Sequence, residues 1–327
     1  MTAFGEFPEI GVELDGPIAL VEVQRPPHNF FSLEMIASLA DAYEALDRET
    51  DTRVIVLASE GRSFCAGAQL GGPAEEGEPP PPGGKRGRRH LYYEAVRLYD
   101  TELPVVAAVQ GAAIGGGLGL ALSADFRVAA PEARFAANFA RLGFHHGFGL
   151  TVSLPAIVGQ QNALRMLYTG VRVKGEEAHA MGMVDELVPL DDLRPRAMEF
   201  AAEIAASAPL AVRSIRRTMR QGLAARIREA TDHEQVEQDW LRRTQDFGEG
   251  VRATNERRVG EFQGEVGGWG DTPRAPRPAP RDGGPPRRSA LADLLLQGLA
   301  AQPAGEVRGE HREGAPLVAL GRGRVVG

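Results

Sequence analysis

The sequence predicts an α/β fold followed by a helical C-terminal region, and three observations carry that expectation. In the first half, short apolar runs rich in Val and Ile alternate with a stretch of helical spacing. Two of the apolar runs lead into segments dense in small residues, the pattern of strand-to-turn junctions. Beyond Leu150 the pattern becomes almost wholly helical.

Residues 18–23, 54–58 and 105–109 are bounded by turn residues and read as buried strands. Between the first two, Leu33, Ile36, Leu39, Ala40, Tyr43 and Leu46 recur at helical spacing, with Ser32 placed as an N-cap and Glu34 and Asp41 on the polar side. Strand and helix in alternation imply crossover connections within one sheet. Residues 191–207, 209–222 and 227–247 are long helix candidates. The last spaces Val236, Trp240 and Phe247 on or near one face, suited to packing on a partner or on the body.

Composition narrows the classes. The single cysteine, Cys65, rules out an intrachain disulfide and a cysteine metal cluster. A net charge of −7 argues against general nucleic-acid binding. No apolar run reaches the ~18 residues of a membrane span. The first ten residues carry Glu6 and Glu9 and no export pattern, so the expectation is a cytoplasmic protein with no membrane, nucleic-acid or metal partner. Residues 266–327 hold nine arginines, no lysine and six acids among many Pro and Gly, with Trp269 the one aromatic. That tail cannot bury enough apolar surface to offset its chain entropy, and it reads as disordered. Residues 71–89, with Pro79 to Pro82 and then Lys85, Arg86, Arg88 and Arg89, read as a long mobile loop. Its basic residues fit a solvated loop, or a partial counter-charge for phosphates. The organisation expected is a core over 1–190, a helical region over 191–265 and the tail over 266–327.

Two segments carry chemistry. Residues 63–70, Ser-Phe-Cys-Ala-Gly-Ala-Gln-Leu, follow a predicted strand, and Ala66, Gly67 and Ala68 let another group approach the backbone. Residues 109–122 run from a strand through Gly115, Gly116 and Gly117 into an apolar helix start. Unsatisfied N–H groups and the dipole of a helix N-terminus favour developing negative charge. One N–H from each segment, converging on one oxygen, is what stabilising an enolate or tetrahedral oxyanion requires. Either segment alone is equally an ordinary turn or a close helix contact. Gly115, Gly117 and Gly119 do not fit a dinucleotide fingerprint, and Asp125 comes too soon to serve one.

Together, in this order and roughly 45 residues apart, the two segments resemble the crotonase (enoyl-CoA hydratase/isomerase) superfamily. Further matches are Arg25-Pro26-Pro27-His28-Asn29, then Ala124 to Ala129, Ala133-Arg134-Phe135, Leu154 to Gly159, Leu167 to Gly170 and Ala178 to Val184. The resemblance spans about residues 10–264. It implies a spiral of ββα units with a helical C-terminal region that builds a homotrimer or hexamer. It also implies an acyl-CoA substrate, with coenzyme A present only as part of that substrate and no tightly bound cofactor. Carried over by position, the oxyanion amides fall on Ala68 and Gly116, and the CoA moiety runs along Ala66, Ala68, Gln69, Leu70 and Gly71.

The pattern breaks where acids are expected. One hydratase glutamate position is Gly119, the second is filled by Asn138-Phe139, and the aspartate position of the dehalogenase and dienoyl-isomerase branches is Gly147. Gly119 and Phe139 therefore read as acyl-pocket positions. The side chains left to move a proton are His146 and then His145, since imidazole titrates near neutral pH. The plainer expectation is that both rings bond backbone carbonyls. His90, Tyr92 and Tyr93 read as a packed helix face beside the loop, or as groups facing the acyl chain. Cys65 reads as a small buried packing residue. The leading function is an acyl-CoA lyase or isomerase. The alternative is a non-catalytic acyl-CoA-binding protein, and an interaction scaffold rests on the Arg/Pro tail alone.

Overall fold

The computed structural model describes residues 1–68 and 90–265, which fall within one compact unit. In chain order the elements begin with β1 (Thr2–Ala3), β2 (Ile10–Asp15), β3 (Ile18–Val23), α1 (Leu33–Arg48), β4 (Val54–Ser59) and α2 (Leu91–Asp100). They continue with β5 (Val105–Val109), β6 (Ala112–Ile114), α3 (Gly116–Ser123), β7 (Phe126–Ala129) and β8 (Arg134–Ala136). A 3₁₀ turn, Asn138–Leu142, leads to α4 (Leu150–Val158) and α5 (Gln160–Thr169). Then come β9 (Val173–Lys174), α6 (Gly175–Ala180) and β10 (Glu186–Leu187). The C-terminal helices are α7 (Leu193–Ala205), α8 (Pro209–Met219), α9 (Leu223–Leu241) and α10 (Gln245–Asn255).

The strands form two sheets. The larger runs β1-β2-β3-β4-β5-β7-β10, antiparallel through β3 and parallel from β3 to β10. The smaller runs β6-β8-β9. Every residue of β4 and β5 is buried, which is why both read as unbroken apolar runs. Alternate residues serve two layers. Ile55, Leu57, Val105, Ala107 and Val109 join the main core with α1 and α3. Val54, Val56, Val106, Ala108 and Val128 pack instead on the alanine face of α7, Ala197, Ala201 and Ala205.

The α/β class with a helical C-terminal region is the observed architecture. The Ser32 hydroxyl accepts the Met35 N–H at 3.1 Å and starts α1 as expected. One element is corrected: the candidate helix over 227–247 is two helices. α9 stops at Leu241, and the Thr244 hydroxyl caps α10 by accepting the Phe247 N–H. Phe247 therefore shares no helix face with Val236 and Trp240. Its ring packs on Phe144, 5.3 Å between centroids, against the chain's own core. Residues 71–89 and the tail over 266–327 lie outside the described residues. Within the described residues, no helix is long and apolar enough to cross a membrane.

Beneath α3, a buried ionic lattice ties the C-terminal helices to the sheet. Asp125, just past the end of α3, accepts Arg216 at 2.8 Å and also Arg220, both carried by or next to α8. Its carboxylate also accepts the Val105 N–H, and the two guanidiniums hold it below the usual carboxylate range against the cost of burial. Arg127 caps the same end by donating to the Ala124 carbonyl at 2.9 Å.

Candidate active site

The two chemistry-bearing segments meet backbone to backbone. The Cys65 N–H donates to the Ala112 carbonyl at 2.8 Å, and the Ile114 N–H returns to the Cys65 carbonyl at 3.0 Å. This pairing is a parallel bridge between Cys65 and Ala113. Gly67 adopts φ +87°, and a Cβ there would lie 2.7 Å from the Ile114 carbonyl oxygen and 4.0 Å from the Gly116 nitrogen. A Cβ on Gly117 would run into the Cys65 carbonyl. Only glycine gives both the left-handed turn and this approach.

At the start of α3 the chain turns through Gly115, φ +57°, whose N–H donates to the Ala136 carbonyl at 2.8 Å. Leu118 and Gly119 then donate to the Gly115 carbonyl. Among the described residues, the N–H groups of Gly116 and Gly117 have no such partner, and neither has that of Ala68. These are the orphan donors of a helix N-terminus, with Ala68 on the adjoining segment. Ala66 and Ala68 are half-buried beside them, while Gln69, Leu70 and Gly71 fall outside the described residues.

Aromatic rings wall the junction. The Phe31 ring packs onto Gly116, where no side chain would fit, and lies 6.1 Å from the Phe148 ring. On the other side, a Cβ on Gly115 would lie 3.5 Å from Asn138 Oδ1 and 3.6 Å from the Phe139 ring. Phe139 is buried and packs edge-on against Phe144, 5.4 Å away, and against His146, 6.5 Å away.

His145 and His146 lie on the segment between the 3₁₀ turn and α4, their rings stacked 4.1 Å apart. The His145 Nδ1–H donates to the His146 carbonyl at 2.8 Å, the plainer arrangement expected of both. His146 departs from it: Nε2 meets the Thr151 hydroxyl at 2.8 Å and lies 3.8 Å from Glu234 of α9. Glu234 has no exposed surface and accepts three donors across the start of α4. These are the Gly149 N–H at 2.8 Å, the Thr151 N–H at 3.0 Å and the Thr151 hydroxyl at 2.6 Å. Burial, and after it the imidazoles of His145 and His233, push His146 from the ordinary histidine range down to about 3.

A hydrogen-bonded strut ties this segment to the C-terminal helices. The buried Tyr92 hydroxyl donates to Gln238 Oε1 at 2.8 Å, and Gln238 Nε2 donates to the His145 carbonyl at 2.9 Å. His90 is the N-cap of α2, accepting the Tyr92 N–H, and Tyr93 lies under the Arg228 guanidinium. Cys65 is fully buried, which pushes its thiol up to about 12.

Residues 13–265 match the family model described as Enoyl-CoA hydratase/isomerase. The chain belongs to the enoyl-CoA hydratase/isomerase family. A crotonyl-CoA hydratase of Syntrophomonas wolfei is 31% identical over 263 residues, 78% of this chain and 98% of that protein. An (E)-benzylidenesuccinyl-CoA hydratase of Thauera aromatica is 30% identical over 259 residues, 78% of this chain and 99% of that protein. Among solved structures, an enoyl-CoA hydratase/isomerase from Pseudoalteromonas atlantica superposes with a TM-score of 0.69. It is 27% identical, over 78% of this chain and all of that one.

At Gly119 and Gly147, where the resemblance implied acids, the space for a side chain is already taken. A Cβ on Gly119 would lie 2.5 Å from Phe148 Cδ1, and a Cβ on Gly147 would overlap the Tyr92 hydroxyl. Sequence reasoning missed Phe31, Phe148, Thr151 and Glu234. A signal existed for Glu234. Ile227, Thr231, Glu234 and Gln238 recur at helical spacing, and all four are buried on α9. Nothing local linked them to residues some 85 positions earlier.

Proposed function

We propose that the protein is an acyl-CoA enzyme of the lyase or isomerase type. In this reading the Ala68 and Gly116 N–H groups polarise the thioester carbonyl and hold the enolate or oxyanion that forms there. Coenzyme A enters as part of the substrate, and no tightly bound cofactor is needed. The observation that carries the reading is the Gly116 N–H at the start of α3, without a backbone partner among the described residues and set 4.0 Å from the Cβ position of Gly67 on the facing segment. Preorganised backbone donors of this kind are worth about 3–4 kcal/mol each at a developing oxyanion. Support from the relatives is that two of them are named hydratases of CoA thioesters.

Ordinary hydration is not the expected reaction. It takes one carboxylate to orient water and another to deliver a proton, and Gly119 and Phe139 offer neither. Phe139, buried against Phe144, makes its side of the site apolar. His146 carries the proton in this reading, with His145 packed behind it.

A second reading is a non-catalytic acyl-CoA-binding protein. It is favoured by the filling of the Gly119 and Gly147 positions with Phe148 and Tyr92. One experiment separates the two. Purified protein is given a panel of acyl-CoAs and the matching free acids in D₂O. Binding is read by calorimetry and deuterium uptake at the α-carbon by mass spectrometry. Thioester-selective binding with α-exchange is the expected result. Binding without exchange would put the second reading ahead, and equal binding of thioesters and free acids would overturn both.

A further inference from the structure

We infer that Thr151 and the buried Glu234 fix His146 as its Nε2–H tautomer, which makes Nδ1 the basic atom of the ring and both partners positioning residues. Glu234 receives three donors at one spot: the Gly149 N–H, the Thr151 N–H and the Thr151 hydroxyl. At each of these contacts a carboxylate oxygen is the acceptor, and the start of α4 supplies the donors. The Thr151 hydroxyl has a single hydrogen, and the short 2.6 Å contact to Glu234 uses it. What the hydroxyl oxygen presents to His146 Nε2, 2.8 Å away, is then a lone pair. Nε2 must carry the hydrogen, and a neutral ring then has its lone pair on Nδ1.

The surroundings keep the ring neutral. It is covered on one side by the His145 ring and faces Phe139 edge-on. From α9 it faces His233 and Glu234, and from α4 Thr151. Burial and the two neighbouring imidazoles both disfavour a charge on it.

The catalytic consequence rests on the acyl-CoA reading above, whereas the tautomer does not. In that reading Nδ1, a weak base because burial disfavours its imidazolium, takes the α-proton; the C–H pair becomes the enolate C=C bond and the carbonyl π pair moves onto the thioester oxygen held by the Ala68 and Gly116 amides. The ring becomes an imidazolium with hydrogens on both nitrogens. Its Nε2–H still points down the Thr151–Glu234 chain, where the carboxylate 3.8 Å away offsets the new charge.

The test is the two-bond ¹H–¹⁵N spectrum of protein labelled at histidine, at neutral pH, with His146 assigned by its loss in His146→Gln. Wild type and Thr151→Ser, which keeps the hydroxyl, are expected to show the Nε2–H tautomer. Thr151→Val, of the same shape without the hydroxyl, is expected to shift His146 toward a tautomer mixture. An Nδ1–H tautomer in the wild type would overturn the inference, as would a Thr151→Val spectrum unchanged at His146. In the α-exchange assay, Thr151→Val should lower kcat by roughly 10–100-fold with KM little changed, the range for partners that orient an imidazole at a metal. Thr151→Ser should restore most of it. Absence of exchange in wild type beside the expected spectrum would remove the acyl-CoA chemistry and leave the tautomer standing.

Discussion

Phe148 occupies the space that a side chain on Gly119 would need: its Cδ1 and Cβ lie 2.5 and 2.7 Å from where a Cβ would stand. Phe148 is fully buried and holds φ +63°, so the ring has little room to yield. The Tyr99 hydroxyl shares its one hydrogen between the carbonyls of both residues, 3.3 Å from Gly119 and 3.4 Å from Phe148. Gly119→Ala should therefore destabilise the fold by about 1–3 kcal/mol through overpacking, read as a lower urea midpoint. Gly119→Glu should cost more and give no hydratase. Gly119→Ala as stable as wild type would show that the ring moves aside.

Acid should weaken the fold in a window set by His146. Its folded pKa, about 3, is below its ordinary value of 6.5, so the unfolded chain binds the extra proton between those limits. The contribution is fully present above pH 6.5 and is lost as pH falls toward 3, at up to about 1.4 kcal/mol per pH unit. The effect of Asp125, whose carboxyl is depressed, comes later, below 3.8. Burial raises the Asp47 carboxyl, an effect of opposite sign that is common to wild type and variant. Urea midpoints for wild type and His146→Gln between pH 7 and 4 should converge on acidification. Parallel curves would mean that His146 is charged in the folded protein.

The parts of the fold that could be read from sequence were those fixed by short-range pattern. β4 and β5 showed as apolar runs because both of their faces are covered, β3 through its apolar residues although Leu20 and Glu22 on it are only partly buried, and α1 through its apolar spacing and Ser32. The break between α9 and α10 did not show. Nothing in Arg242-Arg243-Thr244 forbids a helix, and the cap on Thr244 succeeds because Phe247 finds Phe144. The candidate site divides the same way. The glycine turn and the small residues around Gly67 declare a close backbone approach in the sequence itself. The His146–Thr151–Glu234 chain is a product of the tertiary fold, since α9 reaches α4 only once both pack on α2 and the core.

α8 is turned inside out for a surface helix: Arg213, Arg216 and Arg220, at its end, reach inward to Asp47, Thr52, Thr101, Asp125 and Ser123. Ile215 and Met219, one turn apart on its outer side, are 62% and 81% exposed, and Leu210 near its start is 81% exposed. Large apolar side chains facing water at one place mark an interface. We expect a homotrimer or hexamer by light scattering at micromolar concentration. Ile215→Glu with Met219→Glu should dissociate it while the circular dichroism of the fold is kept. A wild-type monomer would contradict the assembly, and an intact oligomer in the double variant would place the interface elsewhere.

The last prediction concerns rate. Each positioned acid or base typically contributes ~10²–10⁴-fold, and an ordinary hydratase uses two. Neither Gly119 nor Phe139 can act as one, and the position at Gly119 is closed by Phe148. The amides of Ala68 and Gly116 remain, and loss of one such donor costs ~10²–10³-fold in a protease. Crotonyl-CoA hydration should therefore fall far below that of a hydratase with both carboxylates. Whatever turnover remains should drop in His146→Ala and less in His145→Ala, whose Nδ1 is already committed to the His146 carbonyl. Because His146 stays neutral down to about pH 3, the residual rate should not decline between pH 7 and 5 as it would for an unshifted imidazole. Hydration at ordinary hydratase speed would show that other groups supply the missing acids. Weak turnover untouched by both substitutions would leave the binding protein as the better reading.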